Sequence, residues 1–337
     1  MNRFAYARPA SIPEAAALLA RPGAKAIAGG TNLVDLMKEG AESPGLIVDL
    51  NRLPLREIRE RDGGGLSLGA LVTNADTAYD SRVEARFPLL AHAILAGASA
   101  QLRNAATNGG NLNQRTRCVY FYDVATPCNK RAPGSGCGAI GGVNRSHAIL
   151  GVSDQCIATH PSDMCVALAA LEAEVRVHGP AGERFIPFAD YHRLPGDDPA
   201  TDNSLRPGEI VTAIDIAPFD CGDHWTYLKL RDRLSYAFAL VSVAVALKME
   251  GGEVRKARIA LGGVAHKPWR LPEAEALIEG GAPDEAAFRA AADRLLHGAE
   301  GSGGHAFKIE LARRAIVRAL RQAVAGTPQT LADKRIA

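Results

Sequence analysis

The stretch from Gln114 to His160 limits this chain's fold more than any other feature. It is rich in Arg, Asn, Gly, Pro and Ser and has no apolar periodicity. A connection of roughly 45 residues far exceeds the usual link between elements, so it is expected to be functional or internally cross-linked. Four of the chain's six cysteines lie in it: Cys118, Cys128, Cys137 and Cys156. Thiolates bind soft metals, and four of them suit zinc or a cubane iron–sulfur cluster. Structural zinc usually brings a closely spaced cysteine pair, whereas here the gaps are 9, 8 and 18 residues. A pre-shaped loop must gather the four, which favours the cluster and leaves zinc as the other reading. Arg115, Arg117, Lys130, Arg131 and Arg145 surround them. They either offset a negative cluster or form a solvated basic face.

Two diglycine segments mark candidate anion sites. Ala24 to Ala28 reads as a buried strand ending at Gly29-Gly30-Thr31-Asn32, after which Leu33 to Lys38 reads as a helix. A strand turning on glycines into a helix start is a natural anion site, because free N–H groups and the helix dipole point the same way. Thr107-Asn108-Gly109-Gly110-Asn111-Leu112 is a second such turn, and Ser162-Asp163 caps a further helix through Leu171. One turn alone is more often structural. Two imply a diphosphate ligand, one turn per phosphate. Neither matches the six-residue dinucleotide fingerprint or a P-loop.

The remaining chain alternates strands and helices. Ser11 caps a helix with Pro13 in its first turn, Thr73 caps another, and Pro88 to Ala100 is Ala-rich and helical. Strands are expected at Phe4–Tyr6, Gly45–Leu50, Gly65–Thr73, Ala173–Val177, Gly182–Pro187 and Glu209–Ile216, with a surface loop over Leu194–Arg206. From Thr226 the pattern changes to alternating strands with a hairpin at Glu250-Gly251-Gly252-Glu253, then helices after Pro272 and Pro283 and over Phe307–Val324. That describes an antiparallel sheet backed by helices.

A net charge of +2 implies no nucleic-acid or membrane partner. No apolar run reaches membrane-spanning length, and Met1 to Tyr6 shows no signal-peptide core. Without an export signal, a metal site is favoured over disulfides. Cys165, on the apolar side of a helix, and Cys221, in a loop, read as ordinary residues. Lys229, flanked by Leu228 and Leu230, is either a solvated edge-strand residue or one facing a ligand pocket. His160 is either a base or a surface histidine, the latter being commoner for a lone loop histidine.

The segments Ala28-Gly29-Gly30-Thr31-Asn32-Leu33, Thr107 to Leu112, Pro161-Ser162-Asp163 and Tyr227-x-Lys229-x-Arg231 together resemble the FAD-binding subunits of molybdenum hydroxylases, in order, from about residue 3 to 325. The cysteine loop narrows this: Asn111 to Cys118, Cys128-Asn129-Lys130-Arg131, Pro133 to Cys137 and Ser153 to Thr159 resemble the cluster-bearing flavin subunit of periplasmic aldehyde oxidoreductases.

The resemblance implies an α+β protein. A PCMH-type FAD-binding fold of two α/β subdomains (about 1–58 and 59–222, with the cluster loop at 113–160) would precede a C-terminal α+β domain, 223–337, like that of CO dehydrogenase flavoproteins. Lys25, Ala26, Ile27, Ala28, Gly29, Gly30, Thr31, Asn32 and Leu33 would wrap the FAD pyrophosphate, with Thr107, Gly110 and Asn111 on its second side. Ser162 and Asp163 would hold ribityl or ribose hydroxyls, Val211 would touch the adenine or ring by its backbone, and Lys229 would sit near the isoalloxazine. Cys118, Cys128, Cys137 and Cys156 would ligate a [4Fe–4S] cluster. The chain itself would hold no molybdenum. Its partners would be a molybdenum-cofactor large subunit and a [2Fe–2S] small subunit, in a complex exported to the periplasm on a partner's signal or remaining in the cytoplasm. A flavin subunit of another molybdenum hydroxylase (xanthine or hydroxybenzoyl-CoA type), a standalone PCMH flavoprotein oxidoreductase and a zinc-stabilised scaffold are the competing readings.

Overall fold

In the computed structural model residues 1–326 are described, and the expected C-terminal stretch to 337 runs past them. A small parallel sheet comes first, built from β1 (Ala5–Ala7), β2 (Ala24–Ile27) and β3 (Leu46–Asp49) in the order β1-β3-β2. Two crossover helices make the parallel pairing possible, α1 (Ile12–Leu19) and α2 (Leu33–Glu39). Ser11 starts the first by accepting the Glu14 N–H at 3.3 Å, with proline in the first turn. β3 is buried at every position. β2 is not the buried strand its composition implies. It is an edge strand paired only with β3, and Lys25 and Ala26 on it are exposed.

A five-stranded antiparallel sheet follows, in the order β4-β5-β8-β6-β7: β4 (Ile58–Glu60), β5 (Leu66–Gly69), β6 (Glu174–Gly179), β7 (Gly182–Pro187) and β8 (Ile210–Ile216). Between β5 and β6 the chain winds through α3 (Asn74–Ala78), α4 (Ser81–Arg86), α5 (Pro88–Ala96), α6 (Ala100–Ala105), α7 (Asn108–Leu112), α8 (Val119–Tyr122) and α9 (Asp163–Ala170). All eight residues of α9 are buried, because it packs against α5 and also against the third sheet. A helix apolar all round must be covered all round. The short α10 (Phe188–Tyr191) sits after β7.

The third sheet, β9 (Trp225–Leu230), β10 (Val241–Glu250) and β11 (Glu253–Gly262), is antiparallel in the order β11-β10-β9. Its hairpin turns on Gly251 and Gly252, both at positive φ, as an N-G-type turn requires. After α11 (Pro272–Glu275) and α12 (Glu285–Leu295), α13 (Phe307–Val324) lays Ala312, Ile316, Ala319 and Leu320 onto the sheet. Among the described residues no helix is long and apolar enough to cross a membrane.

Candidate cofactor sites

The first diglycine corner joins β2 to α2. Gly30 takes φ +72°, and a Cβ on Gly29 would overlap the Ala105 carbonyl at the end of α6. Glycine at 29 is what lets the two backbones touch. No side chain caps α2. Asn32, its N-cap, instead accepts the Arg115 N–H at 2.9 Å and reaches the Tyr122 hydroxyl, so this corner is fastened to the cysteine loop. Parallel strands are normally covered on both faces, yet the strip from Lys25 to Leu33 is exposed or half-exposed throughout. Lys25 pairs with Glu42 at 3.4 Å and stays 47 % exposed.

The second diglycine segment is no loop turn: Gly109 and Gly110 lie within α7, capped by Thr107, which accepts the Gly110 N–H at 3.2 Å. The Asn108 and Gly109 N–H groups go to the Val72 and Ala70 carbonyls, and that of Asn111 goes to the Thr107 carbonyl. These donors are already used inside the protein, so they do not form the anion-facing row that a free turn offers. Gly109 is needed because a Cβ there would meet Ala70 at 3.1 Å. Asn111 donates to Asn74 at 2.7 Å and accepts the Ser162 hydroxyl, while Ser162 caps α9 by accepting the Cys165 N–H at 3.0 Å. The corner of α2, α7 and the start of α9 are thereby brought side by side.

Asp163 and Lys229 form the polar floor. The Lys229 ammonium donates to Asp163 at 2.8 Å and to the Ala96 carbonyl at 3.0 Å, and the Tyr227 hydroxyl donates to Asp163 at 2.6 Å. Lys229 is therefore not solvated, although β9 is an edge strand. Burial lowers its pKa, and Asp163 pulls it back. Burial, with the Asp163 charge, drives Tyr227 well above the usual phenol range, keeping its proton on the hydroxyl. A cavity of about 580 Å³, open to solvent, runs past Ser162 and Asp163 to Arg117, Cys118, His147 and Phe238. Val211 lines neither this cavity nor the next. It pairs with Val177 in mid-sheet and is buried in the core.

Cys118, Cys128, Cys137 and Cys156 are all free thiols, and all four line one smaller cavity of about 280 Å³. Cys128 and Cys137 face each other in an isolated antiparallel bridge. Burial pushes the Cys118 thiol up to about 11 and raises Cys156 as well. Ligand sulfurs on one tetrahedral zinc lie about 3.8 Å apart, from a Zn–S bond of about 2.3 Å. Among the described residues, the only Cys, His, Asp or Glu group with three ligand atoms within 4.8 Å of one another is His160, Cys165 and His192.

Of the five loop cations only Arg145 is solvent-exposed; the other four are wholly or partly buried against partners. Lys130 is buried and donates to Asp202 at 2.5 Å and to the Pro199 carbonyl at 2.6 Å, and Arg115 donates to Asp202 at 2.7 Å and pairs with Glu42. Arg131 ties down the Tyr120 and Phe121 carbonyls. Arg117 donates to Tyr122 at 2.7 Å, and Arg145 pairs with Asp232. Asp202 belongs to the stretch that reads as a surface loop. Its lysine and arginine neighbours, with a hydrogen bond from His266, overcome the cost of burial and hold its carboxyl well below the usual range. His160 is likewise no surface histidine: it is buried, its ring 4.3 Å from that of His192. Nothing local in the sequence marks Asp202 or His147, both of which act through partners distant in the chain.

A parallel βα corner with an open, glycine-lined strip, an antiparallel α/β unit and a helix-backed third sheet define a class of dinucleotide-binding flavoprotein subunits. The family described as the FAD binding domain in molybdopterin dehydrogenase matches residues 2–218, and the CO dehydrogenase flavoprotein C-terminal domain matches residues 225–323. The chain belongs to this family of FAD-binding subunits of molybdopterin dehydrogenases. It is 49 % identical over 326 residues to the aldehyde oxidoreductase FAD-binding subunit PaoB of Escherichia coli (strain K12), covering 96 % of this chain and 99 % of that one. It is 31 % identical over 333 residues to the carbon monoxide dehydrogenase medium chain of Hydrogenophaga pseudoflava, covering 95 % and 97 %. Reconstituted CO dehydrogenase from Oligotropha carboxidovorans has the same fold, with TM-score 0.76 and 27 % identity over 97 % of this chain and 99 % of that one.

Proposed function

We propose that this chain is the FAD- and [4Fe–4S]-carrying electron-transfer subunit of a molybdenum-dependent aldehyde oxidoreductase. It would assemble with a molybdenum-cofactor large subunit and a [2Fe–2S] small subunit, and pass electrons on to an external acceptor. The observation that carries the cluster is the set of four free thiols that line one cavity. The open β2 strip supports the flavin, since it leaves room for a ligand where a parallel strand would normally be covered. The 49 % identity to an aldehyde oxidoreductase subunit supports the substrate class. FAD, when bound, would take electrons one at a time from iron–sulfur centres and release them to an acceptor singly or in pairs.

The chain's own part is positioning. The uncapped start of α2 and the backbone from Lys25 to Leu33 would face the pyrophosphate. Thr107, Gly110 and Asn111 would flank it with side chain and backbone surface rather than free N–H groups. Ser162 and Asp163 would take sugar or ribityl hydroxyls, with Lys229 holding the Asp163 carboxylate in place. Cys118, Cys128, Cys137 and Cys156 would each lose a proton on ligating iron. We place the complex in the periplasm, carried there on a partner's signal. The deciding experiment is isolation of the native complex with flavin, iron and acid-labile sulfide counted per chain and the cell fractions assayed. One FAD with four iron and four sulfide in this subunit is expected. Zinc in place of iron, or no flavin, overturns the reading.

A further inference from the structure

Of the four loop cysteines, Cys118 holds a distinct place. Cys118, Thr116 and His147 line both the small cysteine cavity and the larger one that runs to Ser162 and Asp163. Cys128, Cys137 and Cys156 line only the small one. The Cys118 sulfur therefore stands in the wall between the two.

His147 is set against that sulfur, with Nε2 at 3.1 Å from Sγ. It is 4 % exposed and is held from several sides. Its N–H donates to the Asn144 carbonyl at 2.9 Å, and the buried Lys308 ammonium on α13 donates to its carbonyl at 2.6 Å. Asn144 is itself fixed by the Ser302 carbonyl at 3.1 Å and the Gly304 N–H at 3.0 Å. The His147 backbone is thus anchored to α13 and to the turn before it, which fixes where its ring stands against Cys118.

Which ring nitrogen holds the proton follows from the partners. An iron-bound thiolate has no proton and can only accept, so Nε2 carries the hydrogen. Nδ1, buried without a partner, is then a bare lone pair. The opposite tautomer would bury an unpaired N–H, which folded proteins rarely tolerate. A hydrogen bond into a ligating sulfur draws charge off the cluster and eases its reduction.

We infer that His147 is a positioning residue that donates Nε2–H to the Cys118 sulfur and raises the reduction potential of the cluster at the corner facing the Ser162–Asp163 cavity. The inference rests on the cluster assignment made above. Its test is a redox titration of the native complex followed by electron paramagnetic resonance, after iron and sulfide have been counted. His147→Leu is expected to keep its iron and shift the cluster's midpoint to lower potential, with the flavin midpoint unchanged. His147→Gln, which restores an N–H donor, is expected to recover most of that shift. An iron-loaded His147→Leu complex with an unmoved midpoint overturns the inference, as does loss of iron from both variants, which makes His147 a structural prop. Wild-type complex without iron overturns the cluster assignment itself, and this inference with it.

Discussion

Lys229 and Asp163 meet at 2.8 Å with side chains 1 % and 7 % exposed, a charge pair that joins the edge of the third sheet to the first residue of α9. Such a pair is costly to form, and far costlier to break by removing one partner, because the other charge stays buried alone. Lys229→Met is expected to lower stability by about 3–5 kcal/mol, read as a fall in the urea midpoint, and to weaken FAD retention by freeing Asp163. A midpoint within error of wild type would show the pair to be solvated in practice.

Gly29 and Gly45 make a controlled comparison. A Cβ at 29 collides with the Ala105 carbonyl, whereas a Cβ at 45 meets nothing within 4 Å. Gly29→Ala is expected to strip FAD and destabilise the protein, while Gly45→Ala should stay within about 0.5 kcal/mol of wild type. Flavin absorbance per chain after gel filtration separates the two. Equal flavin in both would remove the steric account of the corner.

Asp202 neutralises Arg115 and Lys130 beneath the cysteine loop. Its folded pKa lies below the unfolded value, so it contributes stability above the unfolded value of 3.8, and that contribution is lost as pH falls toward the folded one. Asp202→Asn leaves two cations facing each other and is expected to cost about 3–5 kcal/mol at neutral pH. The loop should also become protease-sensitive, with new cuts between 113 and 160 on limited digestion. An unchanged digestion pattern would contradict this.

Lys308 sits among the Ser146, His147 and Gly263 carbonyls, and burial pulls its pKa to about 7. Between there and the ordinary lysine value of 10.5 the unfolded chain keeps the proton and the folded chain largely does not. Stability should therefore rise with pH across that window, by at most about 1.4 kcal/mol per unit. Lys308→Met is expected to flatten the rise, seen as urea midpoints at pH 6.5 and 9 that differ less than in wild type. An equal slope in both would assign the pH dependence to other groups.

Much of this architecture was legible because its signals are local. Ser11, Thr73 and Ser162 cap the helices expected of them, the Gly251-Gly252 hairpin turns as its residues demand, and α13 buries the face its spacing marks. At Lys229 and Asp202 the sequence leaves the reading open or wrong for one reason, a partner remote in the chain. Lys229 on an edge strand reads as solvated until Asp163, 66 residues away, supplies its counter-charge. Asp202 reads as loop surface until Lys130, 72 residues earlier, reaches it. β2 reads as buried from its small apolar residues, yet only one of its edges is paired. The diglycine at 109–110 reads as a turn, and the Thr107 cap winds it into α7 instead.

The contact of Gly29 with the Ala105 carbonyl leaves no slack in which the β2–α2 corner could swing away from α6. The open surface at this corner is the uncovered flank of β2, where the proposed nucleotide would approach. A polypeptide settling over that flank would cover the strip proposed for the nucleotide, so under the proposed function FAD should be loaded before such a partner docks.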